Sequence, residues 1–402
     1  MDWKSLVALS AALTVLACES DDNGTTDPGN NGDTIPVQLN VLGKGDVLER
    51  FTSEVAARDQ WVYTGTWSTR MVAGNALKIW NATSGIPVLT DSLIIAGAGT
   101  LGDVQISQDG TLLVVPTEGS ATNGIHIFDR TNPARPVLLS QFIAQSTSAG
   151  VHTLKLGTVN GRHYAFLSIN PRQNPARLVI VDITDPRAPV QVFEAPMGLP
   201  YVHDVFVRDG VLFTALWDDG MTIWDIGGGN RGGSPSAPVQ LGNVKTVNGN
   251  VHNIHWVHDP VSGSKRYAFL GEEVPLGGGR YAGDIHVVDV SNLSTPREVA
   301  FFRVDSAGVH NFAVDEPSGI LYAAFYNGGV RAIDVRGTLD NCSTTERAPD
   351  GRCNLGLMKR LKGLALNDRV VTIWGVALQG NALYASDMLN GVWRMDVTPL
   401  RR

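Results

Sequence analysis

Seven copies of one strand-rich unit, repeated about every 50 residues, predict an all-β protein: a seven-bladed β-propeller of four-stranded antiparallel blades. Three observations carry this. A phrase recurs as VHTLKL at Val151, VHDVFV at Val202, VHNIHW at Val251 and VHNFAV at Val309, with looser versions at Ser53, Gly102 and Ile373. Each copy continues through a second apolar run, a polar loop, a third run ending in Asp or Asn, a turn bearing proline and a fourth run. The third runs align as ALKIWNA, GIHIFDR, RLVIVDI, GMTIWDI, DIHVVDV, GVRAIDV and GVWRMDV. Short β-branched and aromatic runs between turn signals read as strands, and near-continuous apolar runs such as LLVV from Leu112 fit strands covered on both faces. A parallel β-helix is the rival repeat fold, but its coils are shorter and do not need four strands per unit.

The first eighteen residues, MDWKSLVALSAALTVLAC, pair one lysine with an apolar stretch too short to span a bilayer, and so read as a secretory signal. Val15-Leu16-Ala17-Cys18 resembles a bacterial lipobox, which implies cleavage before Cys18 and lipidation of that cysteine. Residues 19–36 hold many Asp, Asn and Gly and too few large apolar groups to offset their ordering entropy, so they read as a disordered tether. Glu19 after the lipidated cysteine favours the outer membrane or cell surface. The propeller then occupies residues 37–402, and Val37 to Phe51 is expected to supply the outer strand of the last blade and latch the ring. Cys342 and Cys353, eleven residues apart in a turn-rich segment with no histidine, are expected to form a disulfide in an oxidising compartment. A formal charge of −7 and the lack of a basic run argue against a nucleic-acid partner.

Leu178-Val179-Ile180-Val181-Asp182 followed by ITDPRAPV resembles the LVIVD repeat family of secreted bacterial and archaeal proteins, with similar endings at Phe128 and Val288. The resemblance runs over roughly residues 47 to 397 and implies the propeller fold; it implies no defined activity. The aspartates closing these strands, such as Asp182 and Asp289, are expected to accept amides of the turns that follow.

Four histidines, His152, His203, His252 and His310, occupy the same position on four successive inner strands, where they can converge on the channel and offer zinc or copper a mostly imidazole site. Strand packing is the competing explanation, because ligands of one ion must lie within about 4 Å of each other and symmetry alone does not ensure it. Ser53, Gly102 and Trp374 interrupt the ring and suggest an asymmetric pocket bordered by Trp374, Asp103 and the matching Asp204. A second set follows the second strands: Thr66, Trp67, Glu118, Asn170, Asp218, Asp219, Glu272, Glu273, Asn327 and Asp387, of which Glu118, Asp218, Glu273 and Asp387 are candidate binding carboxylates on one rim. The glycine clusters Gly227 to Gly233 and Gly277 to Gly279 read as flexible loops, not phosphate cradles. No nucleophile elbow, Walker loop or HExxH motif stands in its required context, so no catalytic residue is assigned. These features together point to a monomeric, lipid-anchored cell-envelope scaffold that binds a protein, glycan or small ligand, with a histidine-based metal protein or metal-dependent enzyme as the alternative.

Overall fold

The computed structural model describes residues 36–69, 71–119, 122–169, 177–197, 202–277, 280–366 and 370–401. Cys18, the expected signal, nearly all of the expected tether and Asn170 lie outside the described residues. The described chain forms seven antiparallel blades of four strands, with three short 3₁₀ turns as its only helical segments. The inner strands are Phe51–Arg58, Gln105–Ile106, Val151–Val159, Asp204–Arg208, Val251–Trp256, Phe312–Asp315 and Ile373–Gln379, in blades 1 to 7.

The core is distributed between blades. Seven apolar clusters each join a pair of neighbours, for example Phe269 and Val287 of blade 5 with Leu321 and Phe325 of blade 6, and Tyr384 and Val392 of blade 7 with Val62 and Trp80 of blade 1. That last cluster closes the ring by packing. Hydrogen bonds close it as well: Val41–Gly45 pairs antiparallel with Gly391–Asp396 as the outer strand of blade 7. Just before it, Val37–Gln38 adds in parallel to Leu361–Ala365 of blade 6, so one N-terminal segment fastens two blades.

The third strands end alike in every blade. Asn81, Asp129, Asp182, Asp225, Asp289, Asp334 and Asp396 each accept the backbone N–H two residues on, at 2.8–3.0 Å. The side chain thus satisfies an amide that the ladder has released, which is the turn chemistry expected of short polar residues. Asp225 extends the pattern to the amides of Gly227, Gly229, Arg231 and Gly233, and these bonds hold its carboxyl down at about 2 despite burial. The glycine run from Gly227 to Gly233 is therefore not a loose loop; it winds around a carboxylate, and the missing side chains permit that close approach. Gly278 and Gly279 lie outside the described residues.

Cys342 and Cys353 are joined, with Cα atoms 5.9 Å apart. The segment they close lies between the third and fourth strands of blade 6, yet Cys353–Asn354 pairs in parallel with Arg297–Arg303, the outer strand of blade 5.

A histidine and aromatic layer over an acidic cavity

Inner strands begin at the axis, so the first residues of successive strands meet there. The rings of His152, His203, His252 and His310 form a continuous row, with centroids 4.7, 4.2 and 4.0 Å apart in turn. Trp374 continues the row 4.2 Å from His310, and Trp67 stands 5.6 Å beyond it. Among the described residues, the other arc carries no ring. Ser53 donates to the carbonyl of Leu101 at 2.5 Å, and a β-carbon on Gly102 would meet the His152 carbonyl oxygen at 2.8 Å.

The ends of the second strands lean over this row. Glu118 lies 3.2 Å from His152 Nδ1, and Glu273 lies 3.5 Å from His252 Nε2 while accepting a 2.6 Å bond from the Tyr326 hydroxyl. Asp218 and Asp387 do not join them. Asp218 is exposed on a turn, and Asp387 is buried, accepting the amides of Thr372 and Leu389 and the side chain of Asn390. In two blades the residue reaching the histidines is one place earlier than the sequence suggested. Trp217, ahead of Asp218, sits 5.1 Å from His203, and Tyr326, ahead of Asn327, sits 5.2 Å from His310. Both have positive φ, 57° and 38°, a conformation that is costly for a bulky residue and collects at binding sites. Tyr281, from a hairpin of blade 5, stacks on Tyr326 at 3.8 Å.

Burial sets the charges. It holds His203, His252 and His310 well below the usual histidine range, each also opposed by neighbouring imidazoles, so all three are neutral. Burial also acts to lower His152, but the charge and hydrogen bond of Glu118 outweigh it and its pKa rises. Glu273 is pushed up to about 7 by burial, against the hydrogen bond from Tyr326 and the charge of His152. Among the described residues, His252 Nδ1 and Trp67 Nε1 are buried in this layer without a hydrogen-bond partner.

One residue further along the strands lies a second layer: Glu54, Asp103, Thr153, Asp204, Asn253 and Asn311, with Gly375 in the seventh blade. The six side-chain-bearing residues line a channel cavity of about 260 Å³, joined by Lys155 and His255. Glu54 accepts the Val55 amide at 3.0 Å and a bond from Asn311 Nδ2, and its carboxyl occupies the place a β-carbon on Gly375 would take. Asp103 accepts the amides of Val104 and Leu154, tying blade 2 to blade 3. Burial, then mutual charge, pushes Glu54 to about 8 and Asp204 to about 7, and burial raises Asp103. Trp374 and the aspartates, expected around one pocket, therefore belong to successive layers. His255 faces the cavity, and its ring lies 4.7 Å from Phe206.

Comparison with known proteins adds one relationship. Three stretches match the LVIVD repeat. They are residues 173–195, 201–246 and 281–304, which fall on blades 3, 4 and 5. The LVIVD repeat thus covers all of blade 4 and the outer halves of its neighbours, less of the chain than residues 47 to 397. No curated protein matches the chain.

Proposed function

We propose that this chain is an exported LVIVD-repeat propeller, held to the bacterial envelope through lipid on Cys18, whose channel binds a small organic cation. The cavity carries the ligand reading: two buried carboxylates, Glu54 and Asp103, and the partly buried Asp204 share about 260 Å³ with Lys155. Buried carboxylates without enough positive charge retain protons, and a cation entering the cavity takes the place of those protons. The volume falls just below the ~300 Å³ at which small-molecule pockets begin, so a small amine suits it better than a glycan chain. The lipobox-like Val15 to Cys18 supports export, and so does the Cys342–Cys353 bond, a feature of oxidising compartments.

Putrescine, choline and methylammonium, titrated calorimetrically into the purified chain, test the cavity. Glu54 needs to be ionised for binding, and it is faced by Asp103, Asp204 and the neutral Asn311. Affinity for at least one amine is therefore expected to be higher at pH 8.5 than at pH 6, and Glu54→Gln is expected to weaken binding roughly tenfold at the higher pH, about the value of one charged hydrogen bond. If none of the amines binds, or if Glu54→Gln and Asp204→Asn both bind like the wild type, the cavity reading fails. The anchor is tested separately: Cys18→Ala is expected to move the protein from the membrane fraction to the soluble fraction. Its retention in membranes would remove the lipid from the proposal.

A further inference from the structure

We propose that His203, His252 and Glu273 bind one divalent transition-metal ion, zinc or copper(II), at the end of the channel. The site lies in the layer before the acidic cavity and does not depend on what that cavity holds. Each of the three residues offers a ligand atom, and these atoms lie within 4.8 Å of one another. The His252 Nε2 to Glu273 Oε2 distance, 3.5 Å, already matches the roughly 3.4 Å edge of a tetrahedron with metal bonds near 2.1 Å. The third ligand needs only a small side-chain rotation to complete the set.

The surroundings prepare these atoms. His203 Nδ1 lies 3.2 Å from the carbonyl oxygen of His252. A carbonyl only accepts, so Nδ1 carries the proton and Nε2 is the basic nitrogen; a ring N–H held by backbone is the usual support of a metal-ligating histidine. Tyr326 donates to Glu273 Oε1, which leaves Oε2 as the oxygen facing His252. His252 is 2% exposed and its Nδ1 has no partner, so no hydrogen bond at Nδ1 fixes the tautomer, and Nε2 can present its lone pair beside Glu273. The sequence suggested four histidines. His152 is instead engaged by Glu118, and His310 backs His252 with its ring 4.0 Å away. Two imidazoles and a carboxylate suit zinc and copper(II) better than magnesium or calcium, and three protein ligands leave a coordination position open.

The test uses the purified full chain, stripped with chelator and titrated with Zn²⁺ and, separately, Cu²⁺, with calorimetry and metal analysis as readouts. One equivalent of Zn²⁺ is expected to bind, and the Cu²⁺ form is expected to show electron-spin coupling to two ring nitrogens. Tyr326→Phe removes only the supporting hydrogen bond and is expected to weaken Zn²⁺ binding by roughly tenfold. Glu273→Gln and His252→Gln should weaken it further, whereas the exposed His163→Gln should bind like the wild type. Should His252→Gln fail to fold, Glu273→Gln decides the matter. A wild type that takes up well under one equivalent overturns the proposal, and so does full Zn²⁺ binding by a folded Glu273→Gln protein.

Discussion

His286 lies entirely out of solvent in blade 5, its ring nitrogens 2.7 Å from Glu298 and 3.3 Å from Glu272. Burial alone would strip its proton, but hydrogen bonds and charge from the two carboxylates push its pKa up to about 9, while Arg352 also pairs with Glu298. An unfolded histidine titrates near 6.5. The stability this raised value brings is therefore complete below about pH 6.5 and is lost as pH rises through 9. His286→Gln leaves buried carboxylates under-compensated and is expected to cost about 3–5 kcal/mol in urea unfolding at pH 7, with the gap to wild type narrowing by pH 9.5. A loss below about 1 kcal/mol would show that the network is not holding the blade. Single residues are also where the sequence was least legible. Asp103 and Asp204 were visible because both follow the repeat position by one residue, and the same offset from Ser53 leads to Glu54. Trp217 and Tyr326 gave no such signal: only their positive φ turns them over the histidines, and no propensity or spacing announces a bulky residue in that conformation.

At the scale of strands and loops, legibility followed the range of the interaction. The seven aspartate or asparagine turn caps could be read because each bonds two residues ahead, within its own turn. The four-strand order of each blade was readable for a similar reason, since successive runs pair with their neighbours. The segment bounded by Cys342 and Cys353 shows the opposite. Its cysteines suggested a closed loop, and the bond is there, but a two-residue pairing of Cys353–Asn354 with the outer edge of blade 5 has no periodicity to reveal it. That pairing covers the part of the edge around Ala300 and Phe301 that would otherwise present open backbone groups to another chain. Chemistry at the axis has no periodicity either, because it arises where the ends of second strands lean over the starts of inner ones.

Over the whole ring, closure falls to the junction between blades 7 and 1. Val41–Gly45 is pressed against blade 1 closely enough that a β-carbon on Gly45 would meet the Trp80 ring at 2.4 Å. Gly45→Val is accordingly expected to cost at least the ~1–3 kcal/mol typical of overpacking, seen as a lower denaturation midpoint. An unchanged midpoint would mean that the junction is slack. The same pairing has a temporal side. Ribosomes add about 5–20 residues each second, so the strand at Val41–Gly45 exists for tens of seconds before its mate at Gly391–Asp396 has been synthesised. Until then the nascent circle stays unlocked, and a product cut short before Gly391 has nothing to lock with. Without that mate the edge of the last blade keeps its backbone groups open to pairing with another chain.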